Sequence, residues 1–212
     1  MNASLLDDLR AQGAPRIEPL SVEQYHRMVA TGVLAEGEPI ELIDGLLVRK
    51  DRSTGGGDAM TVGFRHMSAV TRLLRLVARV REHHCHLRTQ GPITLSARDE
   101  PEPDGVVVAG TDEDYEGRHP ASGEVLLAIE VSDSSLAYDR RTKQRLYATA
   151  GIPAYLIVNL VDDRLELSTH PSVAEGRYLD TSVAVLGQTL RLPLGAASLE
   201  LAAADLIPPR KP

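Results

Sequence analysis

The chain is poor in aromatic residues, with no Trp and one Phe among its 212 residues. Aromatic platforms for stacking nucleic-acid bases therefore have few candidates, and the core must be built from Leu, Val, Ile and Ala. Apolar residues make up 42% of the sequence, which is too many for a disordered chain. The length fits one domain, so we expect a loose leader over residues 1–19 and a single domain over residues 20–212.

Cysteine and long apolar runs are also scarce. The single cysteine, Cys85, excludes an intramolecular disulfide and fits a reducing compartment. The sequence has no run of apolar residues long enough to span a bilayer, so we expect no membrane association. Residues 1–10 carry Asp7 and Asp8 and lack the apolar run of a signal peptide. These absences predict a cytoplasmic protein.

The chain lacks an excess of positive charge, because its 30 acidic residues outnumber its 23 Lys and Arg residues and give a formal net charge of −7. This argues against a globally basic DNA-binding protein, so any contact with nucleic acid must come from a local patch. In a helix predicted over residues 65–83, apolar side chains gather on one face and arginines on the other. An ordinary solvated face explains the arginines, but Arg72, Arg75 and Arg79 could also contact a phosphate backbone.

Hydrophobic periodicity and turn residues predict a chain of alternating helices and strands. Ser21 is a good N-cap for a helix over residues 22–30, and Asp44-Gly45 is typical of the turn of a hairpin over residues 40–50. A Gly- and Ser-rich loop is expected over residues 51–63. Strands are predicted over residues 91–96, 104–109, 124–131, 154–160, 164–169, 177–179, 182–185 and 189–192, with helices over residues 138–150 and near 198–206. This order favours a mixed sheet flanked by helices.

Two acids stand at the ends of apolar strands. Asp104 opens the run "DGVVVA" and Glu130 lies near the end of "EVLLAIEV". Buried carboxylates are costly unless they are paired or bound to a metal. Both could simply be solvated strand ends. Alternatively, neighbouring strands present them side by side, where they could hold Mg²⁺, or Mn²⁺ as a substitute, for phosphodiester hydrolysis.

Lys143 strengthens the metal-site interpretation. On a helical wheel for residues 138–150 it falls among Leu146, Tyr147 and Ala150, the apolar side of the helix. A lysine that points inward must extend its ammonium to water or find an anion. Glu130, in the preceding strand, is a plausible partner, and an ammonium held beside a metal could orient water or steady a phosphate.

Three further features leave their alternatives open. Glu41, in the predicted hairpin, could be an exposed strand residue or a further acid near the metal. His66 could be a core histidine or a site residue. The run of three histidines and one cysteine over residues 83–86 resembles a metal cluster, but neighbours on one helix point to different faces. We therefore interpret it as the polar end of the helix.

Four motifs then occur in order: "ELIDG", "PEPDGVVV", "AIEVSDSS" and "YDRRTKQRLYATAGIPAYLIVN". Together they resemble small bacterial restriction endonucleases of the PD-(D/E)XK superfamily. The resemblance implies a restriction-endonuclease-like α/β fold, a mixed sheet core flanked by helices, with an N-terminal helix and hairpin. It identifies Asp104 and Glu130 as the family's acids. The usual lysine position is Ser132 here, and the lysine is moved to Lys143 in the next helix.

From these arguments we expect a Mg²⁺-dependent endonuclease that hydrolyses DNA phosphodiester bonds. Asp104 and Glu130 would bind the metal with Glu41 as a third acid, Lys143 would position water or phosphate, and His66 and Ser132 would be accessory residues. A homodimer would suit paired cuts. Two alternatives remain: a catalytically silent module that binds nucleic acid or protein, and a metal-dependent hydrolase of a small substrate.

Overall fold

The structure is a computed structural model that describes residues 18–50 and 63–210. Most of the predicted leader over residues 1–19 and of the predicted loop over residues 51–63 lies outside these residues. Within them, no helix combines the length and the apolar character that a bilayer crossing needs.

The N-terminal helix and hairpin form as predicted. Helix α1 (Val22–Ala30) begins at Ser21, whose hydroxyl accepts the backbone N–H of Gln24 in a capping box. Strands β1 (Ile40–Ile43) and β2 (Leu46–Arg49) are antiparallel. Asp44 and Gly45 both have positive φ, 52° and 74°, which is the geometry that a two-residue hairpin turn requires.

A six-stranded mixed sheet forms the centre of the domain, in the order β3-β4-β5-β6-β7-β8. Its strands are β3 (Cys85–Thr89), β4 (Gly105–Ala109), β5 (Val125–Ser132), β6 (Ala154–Asn159), β7 (Arg164–Ser172) and β8 (Arg177–Val185). Only the β5–β6 pair is parallel. A parallel pair needs a crossover connection, and here the predicted central helix supplies it. The predicted fold class is therefore confirmed.

Each face of the sheet is covered by different elements. One face packs against α2 (Phe64–Leu73), α3 (Val77–Arg81), the hairpin of β9 (Thr189–Leu194) and β10 (Ala197–Ala202), and α6 (Ala203–Leu206). The other face packs against the crossover helix, which consists of α4 (Leu136–Tyr138), a π-helical turn (Asp139–Lys143) and α5 (Gln144–Thr149). Because both faces are covered, Val106, Val107 and Val108 of β4 are all buried.

Two local predictions around the first long helix are wrong. The helix expected over residues 65–83 breaks into α2, a 3₁₀ turn (Leu74–Leu76) and α3, and it ends at Arg81. The interpretation of residues 83–86 as a polar helix end fails because His84 takes a positive φ of 55° and Cys85 begins β3. Cys85 and Leu87 alternate into the core, which is the period of a strand.

The strand boundaries also differ elsewhere. Residues 91–96 form only isolated bridges, such as the one between Thr94 and Ala121. The two strands expected over residues 177–179 and 182–185 are the single strand β8. The helix expected near residues 198–206 is mostly β10, because Leu199 and Leu201 are buried while Glu200 between them is exposed. Only its last four residues, Ala203–Leu206, are helical.

Glu166 ties the crossover helix to the sheet. Its carboxylate accepts hydrogen bonds from Arg140 (3.0 and 2.5 Å), Asn159 (2.7 Å) and Arg164 (2.8 Å). Burial is the largest influence on this carboxyl and raises its pKa, but these donors together outweigh burial and hold the pKa at about 2. The ionised form is therefore the stable one in the folded protein.

We expect Glu166→Gln to lower the free energy of unfolding by about 1–2 kcal/mol at pH 7, a figure already discounted for solvent screening. The folded pKa lies below the unfolded value, so the contribution is present above about pH 4.5 and disappears as the pH falls toward 2. Urea unfolding at pH 7 and pH 3 measures it. Glu175→Gln, which removes an exposed partner of Arg177, is the control and should be nearly neutral. An equal deficit for Glu166→Gln at both pH values would contradict the prediction.

Candidate active site

A cavity of about 360 Å³ opens between the β1–β2 hairpin, the start of α2, the end of β5 and the crossover helix. Six carboxylates line it: Glu41, Glu102, Asp104, Glu130, Asp133 and Asp139. Three basic side chains, Arg49, Lys50 and Lys143, also line it, together with His66. The cavity thus collects acids from distant parts of the chain.

Lys143 is buried at the centre of this group, with 2% of its surface exposed. Its Nζ donates to Glu41 Oε2 at 2.8 Å and to Glu130 Oε1 at 3.0 Å. Burial acts to lower the pKa of Lys143, but attraction by Glu130 and Glu41 outweighs it and raises the pKa above the usual range. Lys143 is therefore held in its protonated form, and it lies on the buried side of the helix, where the helical wheel placed it.

Glu130 is also buried. Besides Lys143, the hydroxyl of Tyr147 donates to its Oε1 at 2.8 Å. Burial raises the pKa of Glu130 to about 7, against the attraction of Lys143. Its second oxygen, Oε2, accepts no hydrogen bond from any residue that the structure describes, so this atom has lone pairs to offer a cation.

Asp104 reaches the same cavity because of the register between two strands. Gly105 of β4 pairs with Ile129 of β5, so one step further along the pair Asp104 stands opposite Glu130. Asp104 Oδ2 accepts the backbone N–H of Val131 at 2.8 Å and lies 3.3 Å from His66 Nε2. Burial raises the pKa of Asp104, but His66 and the Val131 N–H outweigh it and lower the pKa. The carboxylate therefore stays ionised.

His66 lines the cavity beside Asp104, so it is not a histidine of the apolar core, and its role as a site residue stays a prediction. Burial alone would lower the pKa of His66, but the hydrogen bond to Asp104 and the negative charge of that carboxylate outweigh burial and raise the pKa. Glu41 is buried, because only 2% of its surface is exposed, and its Oε2 accepts hydrogen bonds from Lys143 and from the backbone N–H of Glu102 (3.0 Å). The alternative of an exposed strand residue is wrong for Glu41.

Asp139, a buried acid in the π-helical turn, was not among the predicted site residues. Its Oδ2 accepts the hydroxyls of Ser132 (2.7 Å) and Ser135 (2.6 Å). Burial raises the pKa of Asp139, and the two hydroxyl donors only partly oppose this. Ser132, at the family's usual lysine position, thus serves to position an acid. The signal was present, because Asp139 lies four residues before Lys143, on the same face of a helix.

Glu102 and Lys50 were also missed. Lys50 Nζ lies 3.1 Å from Glu102 Oε2 at the mouth of the cavity. Glu102 is only two residues before Asp104, and Lys50 is one of three lysines in the chain. The short spacing between Glu102 and Asp104 and the rarity of lysine were the available signals. Neither signal shows that the end of β2 would lie beside the segment before β4.

The donor set fits a hard divalent cation. Asp104 and Glu130 present carboxylate oxygens from neighbouring strands, with Glu41 and Asp139 close behind them. Oxygen ligands are what Mg²⁺ and Mn²⁺ prefer, and Mg²⁺ is commonly held by one or two carboxylates plus water or phosphate oxygens. The Tyr138 hydroxyl lines the same cavity, is buried and has no partner among the described residues, so the cavity also retains a polar group for a ligand.

The predicted phosphate-contacting arginines lie outside the cavity. Arg72 donates to the carbonyl of Ala204 at 2.7 Å, and Arg79 donates to Asp205 at 3.3 Å, so both hold the C-terminal segment. Arg75 is exposed and has no bonded partner among the described residues. A role for these arginines in binding nucleic acid stays a prediction.

Comparison with known proteins identifies a sequence family and a solved structure of similar fold. The sequence model of the Uma2 family, described as "Putative restriction endonuclease", matches residues 22–204. The crystal structure of a "putative nuclease belonging to DUF820" from Anabaena variabilis superposes with a TM-score of 0.59 at 16% identity, and the match covers 89% of this chain and 98% of that one. Among curated proteins, none matches this chain. At this identity the structural match establishes the fold alone.

We expect Lys143→Met to lower the free energy of unfolding by about 3 kcal/mol, because it leaves two buried carboxylates without a cation. The control is Arg141→Met, an exposed position on the same helix, which should change stability by about 0.5 kcal/mol or less. Urea unfolding at pH 7.5 measures both. Adding Glu41→Gln to Lys143→Met should recover part of the loss. Equal stability of the two single variants would show that the buried ammonium contributes nothing.

Proposed function

Because the chain belongs to the Uma2 family and its cavity unites Asp104, Glu130 and Lys143, we propose that it is a divalent-metal-dependent nuclease that hydrolyses DNA phosphodiester bonds. The observation that carries the proposal is the convergence of two strand carboxylates beside one buried ammonium. This is the arrangement expected of the PD-(D/E)XK superfamily. Here it results from the β4–β5 register, which brings Asp104 opposite Glu130, and from the crossover helix, which carries Lys143.

The described residues have distinct tasks in this proposal. Asp104 and Glu130 would hold the cation, with Glu41 as a further acid. A bound Mg²⁺ supplies a water of lowered pKa and offsets charge on the phosphate. Lys143 keeps its proton at neutral pH, because its pKa is raised, so it acts as a fixed positive charge rather than as a base. Ser132 and Ser135 act through Asp139, which they position.

His66 connects the proposed cation-binding acids to helix α2. It approaches Asp104 Oδ2 through Nε2, while its Nδ1 is buried and has no partner among the described residues. In the proposal its role is to orient Asp104, because its hydrogen bond keeps that carboxylate ionised. Supporting groups of this kind usually change the affinity for the metal rather than abolish it.

The proposed DNA surface extends from the cavity along α2 and the 3₁₀ turn that follows it. At about 1.5 Å of rise per residue in α2 and about 2.0 Å in the turn, Arg75 of that turn lies roughly 14 Å along the axis from His66. An exposed guanidinium there could contact a phosphate beyond the scissile one. Arg72 and Arg79 carry charge on the same surface while they hold the C-terminal segment. In an acidic chain, this arginine stripe is the local patch that binding to DNA needs.

Asp104→Ala should reduce Mg²⁺-dependent cleavage of plasmid DNA by more than about 100-fold, because one of two metal-binding carboxylates is lost. Alanine is preferred to asparagine here, since Asn before Gly105 is prone to deamidation back to the acid. The control is Asp112→Ala, an exposed acid paired with Arg81, which should cut at the wild-type rate. Far-UV circular dichroism checks that both variants fold. Wild-type cleavage by a folded Asp104→Ala protein would end the proposal.

Metal binding by itself distinguishes a nuclease from a catalytically silent module. We expect Mg²⁺ or Mn²⁺ at millimolar concentration to raise the melting temperature of the wild-type chain, because a ligand that binds only the folded state stabilises it. Asp104→Ala should lose this increment, whereas Asp112→Ala should keep it. Differential scanning calorimetry with and without each metal makes the measurement. Absence of any metal-dependent shift in the wild type would favour the silent module.

A further inference from the structure

A second cluster of metal-ligating side chains lies apart from the cavity. Ligand atoms of His26, Glu100 and His119 all lie within 4.8 Å of one another. His26 is on α1, Glu100 is in the segment before β4, and His119 is in the loop before β5. None of the three lines the cavity that holds Asp104 and Glu130. The cluster therefore has its own chemistry, with two imidazoles where the cavity has carboxylates.

Glu100 is held rigidly at the centre of this cluster. Only 2% of its surface is exposed, and its backbone exchanges two hydrogen bonds with Leu42 of β1, of 2.8 and 3.3 Å. Its Oε2 accepts the hydroxyl of Thr94 at 2.7 Å, while Oε1 lies 2.5 Å from His26 Nε2. Metal-binding carboxylates are commonly oriented in this way, with one oxygen on the metal and the other hydrogen-bonded to the protein.

His119 supplies the observation that a simple His–Glu pair does not explain. Its Nδ1 is buried, and neither ring nitrogen has a hydrogen-bond partner among the described residues. A buried polar atom without a partner is costly and calls for a ligand or an ion. The loop is fixed beside Glu100, because Thr94 pairs through its backbone with Pro120 (2.9 Å) and Ser122 (3.2 Å). The ring of His119 stands edge-on to that of His26, with centroids 6.0 Å apart.

We propose that His26, Glu100 and His119 form a zinc-binding site that fastens helix α1 to the body of the domain. Two imidazoles and a carboxylate are ligands that Zn²⁺ accepts in a tetrahedral site, with water in the fourth position. Tetrahedral ligand atoms about 2.0–2.1 Å from the metal are roughly 3.3 Å apart, so small side-chain rotations complete the geometry. Nitrogen ligands select Zn²⁺ over Mg²⁺, which prefers oxygen.

The site has a structural consequence for helix α1. No residue of α1 is buried, so little apolar packing holds the helix in place. Its other attachments include a hydrogen bond from Val22 N to Ala97 O (2.8 Å) and one from the Tyr25 hydroxyl to Ile40 O (2.9 Å). A metal shared between α1 and two loops would add a strong link at the point where apolar burial is weakest.

The same link would steady the acids of the cavity. Glu100 pairs with Leu42, the neighbour of Glu41, and the backbone N–H of Glu102 donates to the Glu41 carboxylate. Glu100 and Glu102 lie on one short segment, so a metal on Glu100 limits the motion of the residue that positions Glu41. Zinc at this cluster would therefore stabilise the arrangement of the cavity without entering it.

The test is titration of the full chain with ZnCl₂ after removal of metals by a chelator, in the presence of saturating Mg²⁺ to fill the carboxylate cavity. Isothermal titration calorimetry should find one Zn²⁺ per chain. Differential scanning calorimetry should find a rise in melting temperature of about 5 °C or more, as expected when a ligand far above its Kd binds only the folded state. Mg²⁺ alone should not produce this rise in the Asp104→Ala variant.

The matched variants locate the bound zinc. His26→Gln and His119→Gln should each weaken zinc binding by about 10- to 100-fold or more, and the melting temperature of each without metal should stay close to that of the wild type. His170→Gln, an exposed histidine paired with Asp180, should bind zinc as the wild type does. Asp104→Ala should also retain zinc binding, so loss of cleavage and loss of zinc are separate results.

Three results would overturn the proposal: no zinc-dependent rise in the wild type, unchanged zinc affinity when both His26 and His119 are replaced by Gln, or loss of zinc binding in Asp104→Ala but not in the histidine variants. Because His26 is half-exposed on a helix without buried residues, His26→Gln should fold even if the substitution of His119 does not. That variant alone therefore decides whether α1 contributes a ligand.

Discussion

The buried ion group around Lys143 is the interaction on which the rest of this structure depends. An ammonium taken out of water costs several kcal/mol, and here two carboxylates offset that cost. They come from different parts of the chain: Glu41 from the N-terminal hairpin and Glu130 from the central sheet. The hairpin is therefore held against the sheet by the same charges that line the cavity. Stability and site geometry cannot be changed independently at these three positions.

The topology of the sheet explains why the group can form. The antiparallel β4–β5 pair brings Asp104 opposite Glu130, and the parallel β5–β6 pair obliges the chain to cross over as a helix. That helix returns across the sheet face on which Glu130 and Ser132 project. Its π-helical turn carries Asp139 and Lys143, and such widened turns are frequent at functional sites. The positions of the acids and the lysine thus follow from strand pairing and from one crossover.

The sequence predicted the parts of the site that are encoded locally. Acids at the ends of apolar strands indicated Asp104 and Glu130, and helical periodicity placed Lys143 on the buried side. The status of Glu41 was open, because no local pattern shows that a hairpin lies against a distant helix. Asp139 was missed for a related reason, since an acid near a helix start is usually explained by the helix dipole. Contacts between distant segments carry no period that a single sequence reveals.

The errors in the predicted fold have the same origin, which is contact between segments that are distant in the sequence. The apolar periodicity that begins in α2 continues through α3 to Val80, so nothing local indicated that the chain would turn at His84 and enter β3. The arginines of the first long helix were predicted to face solvent, but the C-terminal segment lies beside that face and accepts hydrogen bonds from Arg72 of α2 and Arg79 of α3. In both cases a neighbour distant in sequence changed the outcome. Periodicity identifies which face of an element is apolar, but it does not say what will cover the polar face.

The balance of charge in the cavity constrains any account of its function. Six carboxylates line it against three basic side chains and His66, and one of those bases, Arg49, is already paired with Glu38. A phosphodiester is an anion, and this excess of acids repels it. If the chain acts on DNA, a divalent cation must therefore offset the carboxylates before or while the phosphate enters. Burial is the largest cause that raises the pKa values of Glu130 and Asp139, and the negative charge of neighbouring acids raises both pKa values further, as expected for carboxylates that lie close together without a cation. The cavity is consequently better suited to a metal and phosphate together than to a phosphate alone.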